Sequence, residues 1–120
     1  MKTTAVIDAL AALAHEYRLA IYRLLIEQGP RGLPAGAIGE RVGLQPSSLT
    51  FHLQSLRRAG LITQQRASRQ LIYSADFAAM NGLVGYLTDN CCAADAGACC
   101  PAPAARAPRT ARAARRKKAA

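Results

Sequence analysis

The chain has 120 residues, 51% of them hydrophobic, which suits a single domain with a modest core. Because it lacks Trp and has only 5% aromatic residues, that core must be built from Leu, Ile, Val and Ala. No apolar run approaches the roughly 20 residues that span a bilayer. The sequence therefore predicts a cytoplasmic protein without a membrane partner, in which cysteines stay reduced.

The net charge of +9 is unevenly distributed along the chain. Seven of the 16 Lys and Arg residues lie in residues 101–120, where there is no Asp or Glu. A basic segment of this kind indicates either a polyanionic partner nearby or a disordered, solubilising end. Its Ala, Pro and Arg content cannot bury a core, which predicts disorder beyond Cys100.

Apolar spacing predicts three helices in the first third of the chain. The first covers residues 3–14, and the second covers residues 15–28 and ends at Gly29-Pro30. A short third helix is predicted over residues 34–42. The expected apolar face of the first helix and the following turn comprises Val6, Leu10, Leu13 and Tyr17.

The stretch LQPSSLTFHLQSLRRAGLI predicts a fourth helix over residues 46–59. Pro46 suits a first helical turn, and Gly60 suits a C-terminal stop. The expected buried face is a leucine stripe that comprises Leu49, Leu53 and Leu56.

Two short strands and a last helix follow. The strand candidates cover residues 61–64 and 70–74, on either side of the polar turn QRASR. Asp76 is expected to cap a fifth helix that ends near Asn90. The residues expected on its apolar face are Phe77, Met80, Val84 and Leu87. Two glycines within this helix weaken it, which indicates support from a partner subunit.

A short helix, a glycine turn and a second helix followed by a hairpin describe a winged helix-turn-helix. The predicted fold is therefore mainly α, with four helices, a β-hairpin and a fifth helix. We expect three segments. They are a DNA-binding and dimerisation domain over residues 1–90, a cysteine-rich segment over residues 91–100 and a disordered basic tail over residues 101–120.

The solvent face of the fourth helix and the hairpin tip carry the candidate DNA-binding residues. Small hydroxyl side chains at the helix start can donate to phosphates or read base edges, and arginines at the tip can reach backbone phosphates. The candidates are Ser47, Ser48, Thr50, Phe51, His52, Gln54, Arg57, Arg66 and Arg69. The alternative is that this helix face is only a solvated polar surface.

The two histidines have separate expected roles. His15 is expected to start the second helix, and His52 either contacts DNA or braces the helix packing. Because they lie on distant segments, sequence spacing alone assembles no His-based zinc or hydrolytic site.

All four cysteines fall in the stretch TDNCCAADAGACC, as the adjacent pairs Cys91-Cys92 and Cys99-Cys100. Adjacent Cα atoms lie about 3.8 Å apart, below the roughly 4.4 Å lower limit for a disulfide, although a bridge between the pairs is possible. Zinc favours Cys-x(2–4)-Cys spacing, and a doublet reaches one tetrahedral ion only with strain. A soft ion that accepts three sulfurs, such as trivalent arsenic or antimony, fits better. Zinc and redox disulfide chemistry remain alternatives.

Three stretches are specific in combination: LAALAHEYRLAIYRLL, SSLTFHLQSLRRAGLI and the hairpin ending LIYS. Through them, residues 8–90 resemble the ArsR/SmtB family of bacterial metalloregulators. The resemblance implies a homodimeric winged-helix repressor that binds double-stranded operator DNA. It also implies that the first and last helices form the dimer interface and that the recognition helices enter successive major grooves.

Two effector sites of the family have no counterpart in this sequence. The family's arsenic site on the third helix is a Cys-Val-Cys, where this chain has Pro34 and Gly36 in LPAGAI. The zinc site on the last helix uses Asp and His ligands, and DFAAMNGLVGYLTDN contains no His.

A third effector site does have a counterpart. An arsenic-sensing branch of the family places an Asn-Cys-Cys directly after the last helix and one more cysteine in the following loop, and GLVGYLTDNCC resembles it. The resemblance implies Cys91, Cys92 and Cys99 as ligands. Cys100 is then a spare, a replacement for Cys99, or its companion when methylated arsenic binds through two sulfurs. The implied effector is trivalent arsenic (arsenite), antimonite or methylarsenite, and no zinc is expected.

These observations predict a transcriptional repressor of an arsenic-resistance operon and not an enzyme. In this hypothesis the metal-free dimer holds its operator, and metalloid capture lowers the DNA affinity. A thiol-redox-sensing or other soft-metal-sensing winged-helix repressor is the alternative. A thiol enzyme is disfavoured because no general base lies near the doublets and the chain has no cofactor-binding loop.

Overall fold

The computed structural model describes residues 1–94, and the chain divides into two compact units, Met1–Leu87 and the part from Thr88 onwards. Cys99, Cys100 and the predicted basic tail lie outside the described residues. The elements in chain order are α1 (Thr3–Leu13), α2 (Glu16–Gln28), a 3-10 turn (Gly29–Arg31), β1 (Leu33–Pro34), α3 (Ala35–Val42), α4 (Pro46–Arg58), β2 (Ile62–Ala67), β3 (Gln70–Ala75) and α5 (Phe77–Thr88). The predicted winged helix-turn-helix is confirmed, with one additional strand. The predicted boundaries at residues 90 and 100 stay a prediction.

Local signals set the helix boundaries close to their predicted positions. His15 is the N-cap of α2, as predicted, and its Nδ1 accepts a hydrogen bond from the Tyr17 N–H at 3.2 Å. Gly29 follows the last residue of that helix with φ +74°, and Gly43, left-handed at φ +75°, ends α3. Pro46 occupies the first turn of α4, where the absence of an N–H is tolerated.

The core lies between the leucine face of α4 and the inner faces of α1, α2 and α3. Leu49, Leu53 and Leu56 are at most 3% exposed, so the predicted stripe is confirmed. The largest fully buried side chains of the core are Tyr22, Ile21, Leu25, Ile38, Leu53, Leu56 and Leu61. Burying a Leu or Ile side chain contributes about 1.5–3 kcal/mol, and this packing determines which face of α4 stays outside.

The buried face of α1 differs from the prediction. Val6 is buried as predicted, and Ala9 and Ala12 complete the buried face. Leu10 and Tyr17, which were expected to share one apolar face with Val6, are 41% and 39% exposed. Because α1 contacts both α2 and α4, small alanine side chains allow the close approach that a bulkier leucine would prevent.

The sheet has three antiparallel strands in the order β1-β3-β2. β1 was not predicted, because two residues are too short for an alternating pattern to be visible in the sequence. Its Leu33 pairs with Tyr73, and its Pro34 pairs with Ile72. A proline is tolerated there because β1 lies at the edge of the sheet.

The hairpin has a tighter turn than predicted. Pairing between β2 and β3 continues to Ala67 opposite Gln70, so only Ser68 and Arg69 form the turn. Ser68 has φ +59°, in the left-handed region that tight hairpin turns require. The turn therefore lies within the predicted stretch QRASR but is shorter, because polar side chains on a solvent-exposed strand resemble turn residues in the sequence.

α5 begins with the predicted cap. Asp76 Oδ1 accepts a hydrogen bond from the Ala79 N–H at 3.0 Å. The helix ends at Thr88 and not near Asn90, because Asn90 has φ +59°, which a right-handed helix cannot contain. None of the helices in residues 1–94 combines the length and the apolar character that crossing a membrane demands.

The inward face of α5 is formed by Leu83, which is 4% exposed, with Phe77 and Met80 partly buried beside it. Val84 and Leu87, which were predicted to share one apolar face with Phe77 and Met80, are 50% and 58% exposed and lie away from the core. The α5 residues that contact the core, Phe77, Met80 and Leu83, are spaced three apart. The predicted face instead continued from Met80 to Val84, four residues further on. An apolar strip is therefore left on the outer side of α5.

Gly32 is required where β1 meets β3, because it has φ +68° and a Cβ there would collide with the Tyr73 carbonyl oxygen. We expect Gly32→Ala to lower the free energy of unfolding by at least about 2 kcal/mol. Gly36→Ala is the matched control, because Gly36 is helical with open space around its Cβ position, and it should stabilise by about 0.5–1 kcal/mol. Urea unfolding followed by circular dichroism measures both. Wild-type stability of Gly32→Ala would contradict the close approach.

Candidate DNA-binding and cysteine sites

The solvent-facing side of α4 carries most of the side chains predicted there. The exposed ones are Ser47, Ser48, Thr50, Phe51, Gln54 and Arg57. Phe51 is 60% exposed, and its ring meets the His52 ring edge-on at a centroid distance of 5.6 Å. An apolar ring among polar side chains suits contact with the methyl group of thymine in a major groove.

The hydroxyl groups on this face are not equivalent. Thr50 Oγ1 donates to the Pro46 carbonyl at 2.9 Å, within the same helix. A hydroxyl has one hydrogen, so Thr50 cannot donate to a phosphate while this bond persists. Ser47 and Ser48 lie in the first turn, where the N-cap residue Gln45 supplies no side-chain hydrogen bond. The N–H groups of this turn therefore suit a phosphate oxygen.

His52 is buried, with 8% of its surface exposed, so the prediction that it shares the exposed face is wrong. It lies three residues after Leu49 and four residues before Leu56, and this spacing places it beside the leucine face. This spacing, which is visible in the sequence, could have predicted the burial of His52. The burial favours the alternative that His52 braces the packing of the helix.

The two histidines, which are distant in the sequence, meet in the structure with ring centroids 4.6 Å apart. Arg18 joins them to α1: its Nη1 lies 3.4 Å from His52 Nδ1, and its Nε donates to the Ala12 carbonyl at 2.7 Å. Burial lowers the pKa of His52, and the neighbouring His15 and Arg18 lower it further. This cluster links the end of α1, the start of α2 and the middle of α4.

The wing, formed by β2, β3 and their turn, places both of its predicted arginines at one end. Arg66 lies on β2 opposite Leu71, and Arg69 lies in the turn. Both residues are exposed. The wing therefore presents two positive charges at its end, where they suit phosphate contacts.

The described part of the second unit, residues 88–94, consists of Thr88, the last residue of α5, and the turns that follow it. The Cys91 N–H donates to the Thr88 carbonyl at 2.9 Å. Asn90 and Cys92 have φ +59° and +61°, in the left-handed region that Asn adopts readily and Cys rarely. For Cys92 this backbone conformation costs about 1–2 kcal/mol.

This backbone brings the Sγ atoms of Cys91 and Cys92 to 3.6 Å from each other. The distance exceeds the S–S bond length of about 2.05 Å, so the doublet is not bridged to itself. Two thiolates bound to one ion at about 2.3 Å, in a tetrahedral or a narrower arrangement, are about 3.5–3.8 Å apart. The spacing of the doublet therefore fits two positions on one ion.

The other two predicted ligands, Cys99 and Cys100, lie outside the described residues. Within the part of the chain that the structure describes, no group of three or more His, Cys, Asp or Glu side chains is arranged to hold a metal ion. The doublet is therefore the described portion of the predicted ligand set.

Sequence comparison finds relatives among transcriptional regulators. A family model described as a helix-turn-helix domain matches residues 13–65, which include α2, α3 and α4. The HTH-type transcriptional regulator YgaV of Escherichia coli K12 is 34% identical over 83 residues. The match covers 69% of this chain and 82% of that protein.

Two solved structures share the fold. The first is the homodimeric winged helix-turn-helix DNA-binding domain of Mb0332 from Mycobacterium bovis, described as a possible ArsR-family transcriptional regulator. It is 29% identical with a TM-score of 0.58, over 72% of this chain and 81% of that one. The second is an ArsR-like transcriptional regulator from Rhodococcus sp. RHA1, which at 23% identity supports the fold alone. Its TM-score is 0.67, over 78% of this chain and 86% of that one.

These relatives are transcriptional regulators and not enzymes, in agreement with the prediction. The matched residues include the exposed face of α4, and the structural likeness extends to the wing. The chain belongs to the ArsR/SmtB family of winged-helix transcriptional regulators.

Proposed function

We propose that this chain is the transcriptional repressor of an arsenic-resistance operon. It binds double-stranded operator DNA as a homodimer and leaves it when thiolates of its C-terminal cysteines bind trivalent arsenic. The observation that carries the proposal of a soft-ion site is the 3.6 Å separation of the Cys91 and Cys92 sulfurs, and the arsenic assignment follows from the resemblance of GLVGYLTDNCC to the arsenic-sensing branch of the family. Antimonite and methylarsenite share this thiol chemistry and are further effectors in the proposal.

In the proposed complex, α4 is the recognition helix and its N-terminal half enters the major groove. The first-turn N–H groups and the hydroxyls of Ser47 and Ser48 bind phosphate or base edges, while Phe51 and Gln54 face the bases. The arginines of the wing bind the backbone beside the groove. Phosphate contacts supply affinity in this arrangement, and base contacts supply sequence selectivity.

A homodimer through α1 and α5 is supported by apolar side chains that the core leaves outside. These are Ile7, Leu10, Val84 and Leu87, which are 41–58% exposed. The hydroxyls of Thr3 and Tyr86 form a hydrogen bond of 2.7 Å that connects α1 to α5. Burial of these side chains against a second copy is a favourable source of association energy.

The proposed arsenic site has three sulfurs. Cys91 and Cys92 supply two, and Cys99 is favoured over Cys100 as the third. Each arsenic-bound hydroxide is exchanged for one thiolate and leaves as water when the thiol proton is taken up. Six residues separate Cys92 from Cys99 and include Gly97, which permits a tight return of the chain. Methylarsenite keeps one carbon ligand and therefore requires two sulfurs.

The proposed coupling to DNA runs through α5. Cys91 follows the last residue of α5 by three positions, so an ion bound there changes the backbone that continues the proposed dimer helix. A dimer meets two half-sites about 34–36 Å apart, and a change at its interface alters the distance between the recognition helices. Such coupling typically amounts to about 1–3 kcal/mol, which corresponds to a change in DNA affinity of about 5–150-fold. By reciprocity, DNA weakens arsenic binding by the same factor.

Arsenite-dependent release is tested with the reduced full-length chain and a DNA fragment selected from a random library without metalloid. We expect arsenite to weaken DNA binding by about 5–150-fold, measured by fluorescence anisotropy in a phosphine reductant. Cys91→Ser and Cys92→Ser should bind the fragment like wild type and lose the response, because each removes one of the paired sulfurs. Cys100→Ser is the matched control and should keep the response when Cys99 is the third ligand.

Unchanged DNA binding by the reduced, arsenite-saturated protein contradicts the arsenic proposal. Release by a thiol oxidant but not by arsenite identifies the redox-sensing alternative. Release only by another thiophilic ion, such as Cd²⁺, identifies a different soft-metal sensor. Loss of DNA binding by the serine variants themselves contradicts a purely sensory role for the doublet.

Ser48 and Thr50 should contribute differently to DNA affinity. Ser48→Ala removes a hydroxyl donor from the first turn, and we expect about fivefold weaker binding, or about 1 kcal/mol. Thr50→Val should change binding by less than about twofold, because that hydroxyl hydrogen is already donated to the Pro46 carbonyl. Binding isotherms at one salt concentration compare the two variants. Equal losses would mean that the intrahelical bond breaks on DNA.

Arg69 should contribute to the salt dependence of binding. Arg69→Ala removes one phosphate contact per protomer, which should reduce the slope of log K against log salt by about 0.9 per protomer. Arg69→Lys keeps the charge and should keep the slope. Titrations between about 50 and 200 mM salt measure it. A wild-type slope in the alanine variant would show that the wing does not reach the backbone.

A further inference from the structure

The cluster of Arg18, His15 and His52 joins α1 to the recognition helix and has no part in metalloid binding. Arg18 Nε donates to the Ala12 carbonyl near the end of α1 at 2.7 Å, and Arg18 Nη1 lies 3.4 Å from His52 Nδ1 on α4. One guanidinium therefore contacts both helices. The His15 ring, from the turn between α1 and α2, packs against the His52 ring at 4.6 Å between centroids.

The contact between Arg18 and His52 favours a neutral ring. A guanidinium has only hydrogen-bond donors, so its contact with Nδ1 is attractive only when Nδ1 carries no proton. In the neutral tautomer that satisfies this contact, the proton lies on Nε2. In the imidazolium both nitrogens carry a proton. Protonation of His52 therefore breaks the hydrogen bond to Arg18, because the N–H groups of Arg18 Nη1 and His52 Nδ1 then point at each other. It also places a positive charge on His52 beside the positive charge of Arg18.

We propose that Arg18 is a positioning residue for DNA recognition that acts through the unprotonated ring of His52, and that proton uptake by His52 displaces the recognition helix and weakens DNA binding. The inference rests on the DNA binding of α4 and is independent of arsenic. Because His52 is adjacent to the exposed Phe51, a displacement of the His52 ring reaches the DNA-facing side of α4 directly.

The surroundings of His52 favour the neutral ring at physiological pH. Burial lowers its pKa from the ordinary value of 6.5, and His15 from the α1–α2 turn and Arg18 from α2 lower it further. Among the described residues, the Tyr17 phenol ring also lies near His52, at 6.1 Å between centroids. Because the pKa in the folded protein is depressed, the positioning is complete above about pH 6.5. It is lost as the pH falls below that value and through the folded pKa.

A metal ion is a poor occupant for this pair of histidines. His52 Nδ1 accepts from the Arg18 guanidinium, and His15 Nδ1 accepts from the Tyr17 N–H. A cation bound to the remaining nitrogens would lie next to the positive charge of Arg18. The electrostatics of the cluster therefore favour a proton-dependent contact between helices over metal binding.

The test is the DNA affinity of the reduced full-length chain as a function of pH at fixed ionic strength, with the fragment selected from a random library. We expect constant affinity above about pH 6.5 and a fall that approaches tenfold per pH unit for each protomer once His52 takes up a proton. His52→Asn keeps an acceptor oxygen for Arg18 and cannot be protonated. It should bind like wild type at neutral pH and show no fall.

His15→Asn is the matched control. It removes the other histidine, keeps an N-cap acceptor for α2, and should keep the fall in affinity. Arg18→Gln should weaken binding at neutral pH and flatten the fall, because the contact that protonation of His52 breaks is already lost. A merely structural role of Arg18 would lower the affinity at every pH and leave the fall unchanged.

The inference is overturned if His52→Asn keeps the wild-type pH profile, or if His15→Asn alone abolishes it. Circular dichroism across the same pH range shows whether each protein stays folded, and a wild-type fall that coincides with unfolding also overturns it. Should His52→Asn not fold, an NMR titration of the wild-type rings decides: a His52 that titrates without shifting the amide signals of α4 overturns the inference. The serine variants of the cysteines should keep the pH profile, which separates this outcome from the arsenic proposal.

Discussion

The burial of one helix face, the leucine stripe of α4, is the constraint on which the rest of the molecule depends. Leu49, Leu53 and Leu56 are almost completely enclosed, and successive helical residues are rotated by about 100°. A rotation of α4 by one residue would take the stripe out of the core and bring polar side chains into it. The core therefore determines, with no contribution from DNA, that Ser48 and Phe51 lie outside. In this family member, hydrophobic packing thus determines which side chains of α4 are available to DNA.

Much of the fold could be predicted because its signals are local. The cap at Asp76, the N-cap at His15 and the leucine stripe of α4 each depend on residues within a few positions of one another. The inner faces of α1 and α5 were harder, because they depend on how closely other helices approach. Ala9 is fully buried and Leu10 is not. Hydrophobicity alone would have predicted that Leu10 is the more buried of the two. The strand at Leu33–Pro34 exists only because β3 is present to pair with it.

The candidate sites divide in the same way. The exposure of Ser47, Phe51 and Arg57 was predicted from the helical period. The burial of His52 could have been predicted from the same period. The contact between His15 and His52 could not, because it joins segments 37 residues apart that only the tertiary fold brings together. The occupied hydroxyl of Thr50 and the short distance between the cysteine sulfurs depend on side-chain rotamers and on left-handed backbone, which composition and spacing do not encode.

The strand order β1-β3-β2 leaves β2 as an outer strand of the sheet. Outer strands carry backbone groups without a ladder partner, and in a concentrated solution these can recruit the outer strand of another molecule. Here the outer strand has the sequence ITQQRA, and Thr63, Gln65 and Arg66 are exposed along it. Glutamine and arginine side chains that stay hydrated, with a charge close to the end of the strand, oppose such edge-to-edge aggregation. Arg66, for which we propose a contact with the DNA backbone, thus also keeps unbound molecules apart.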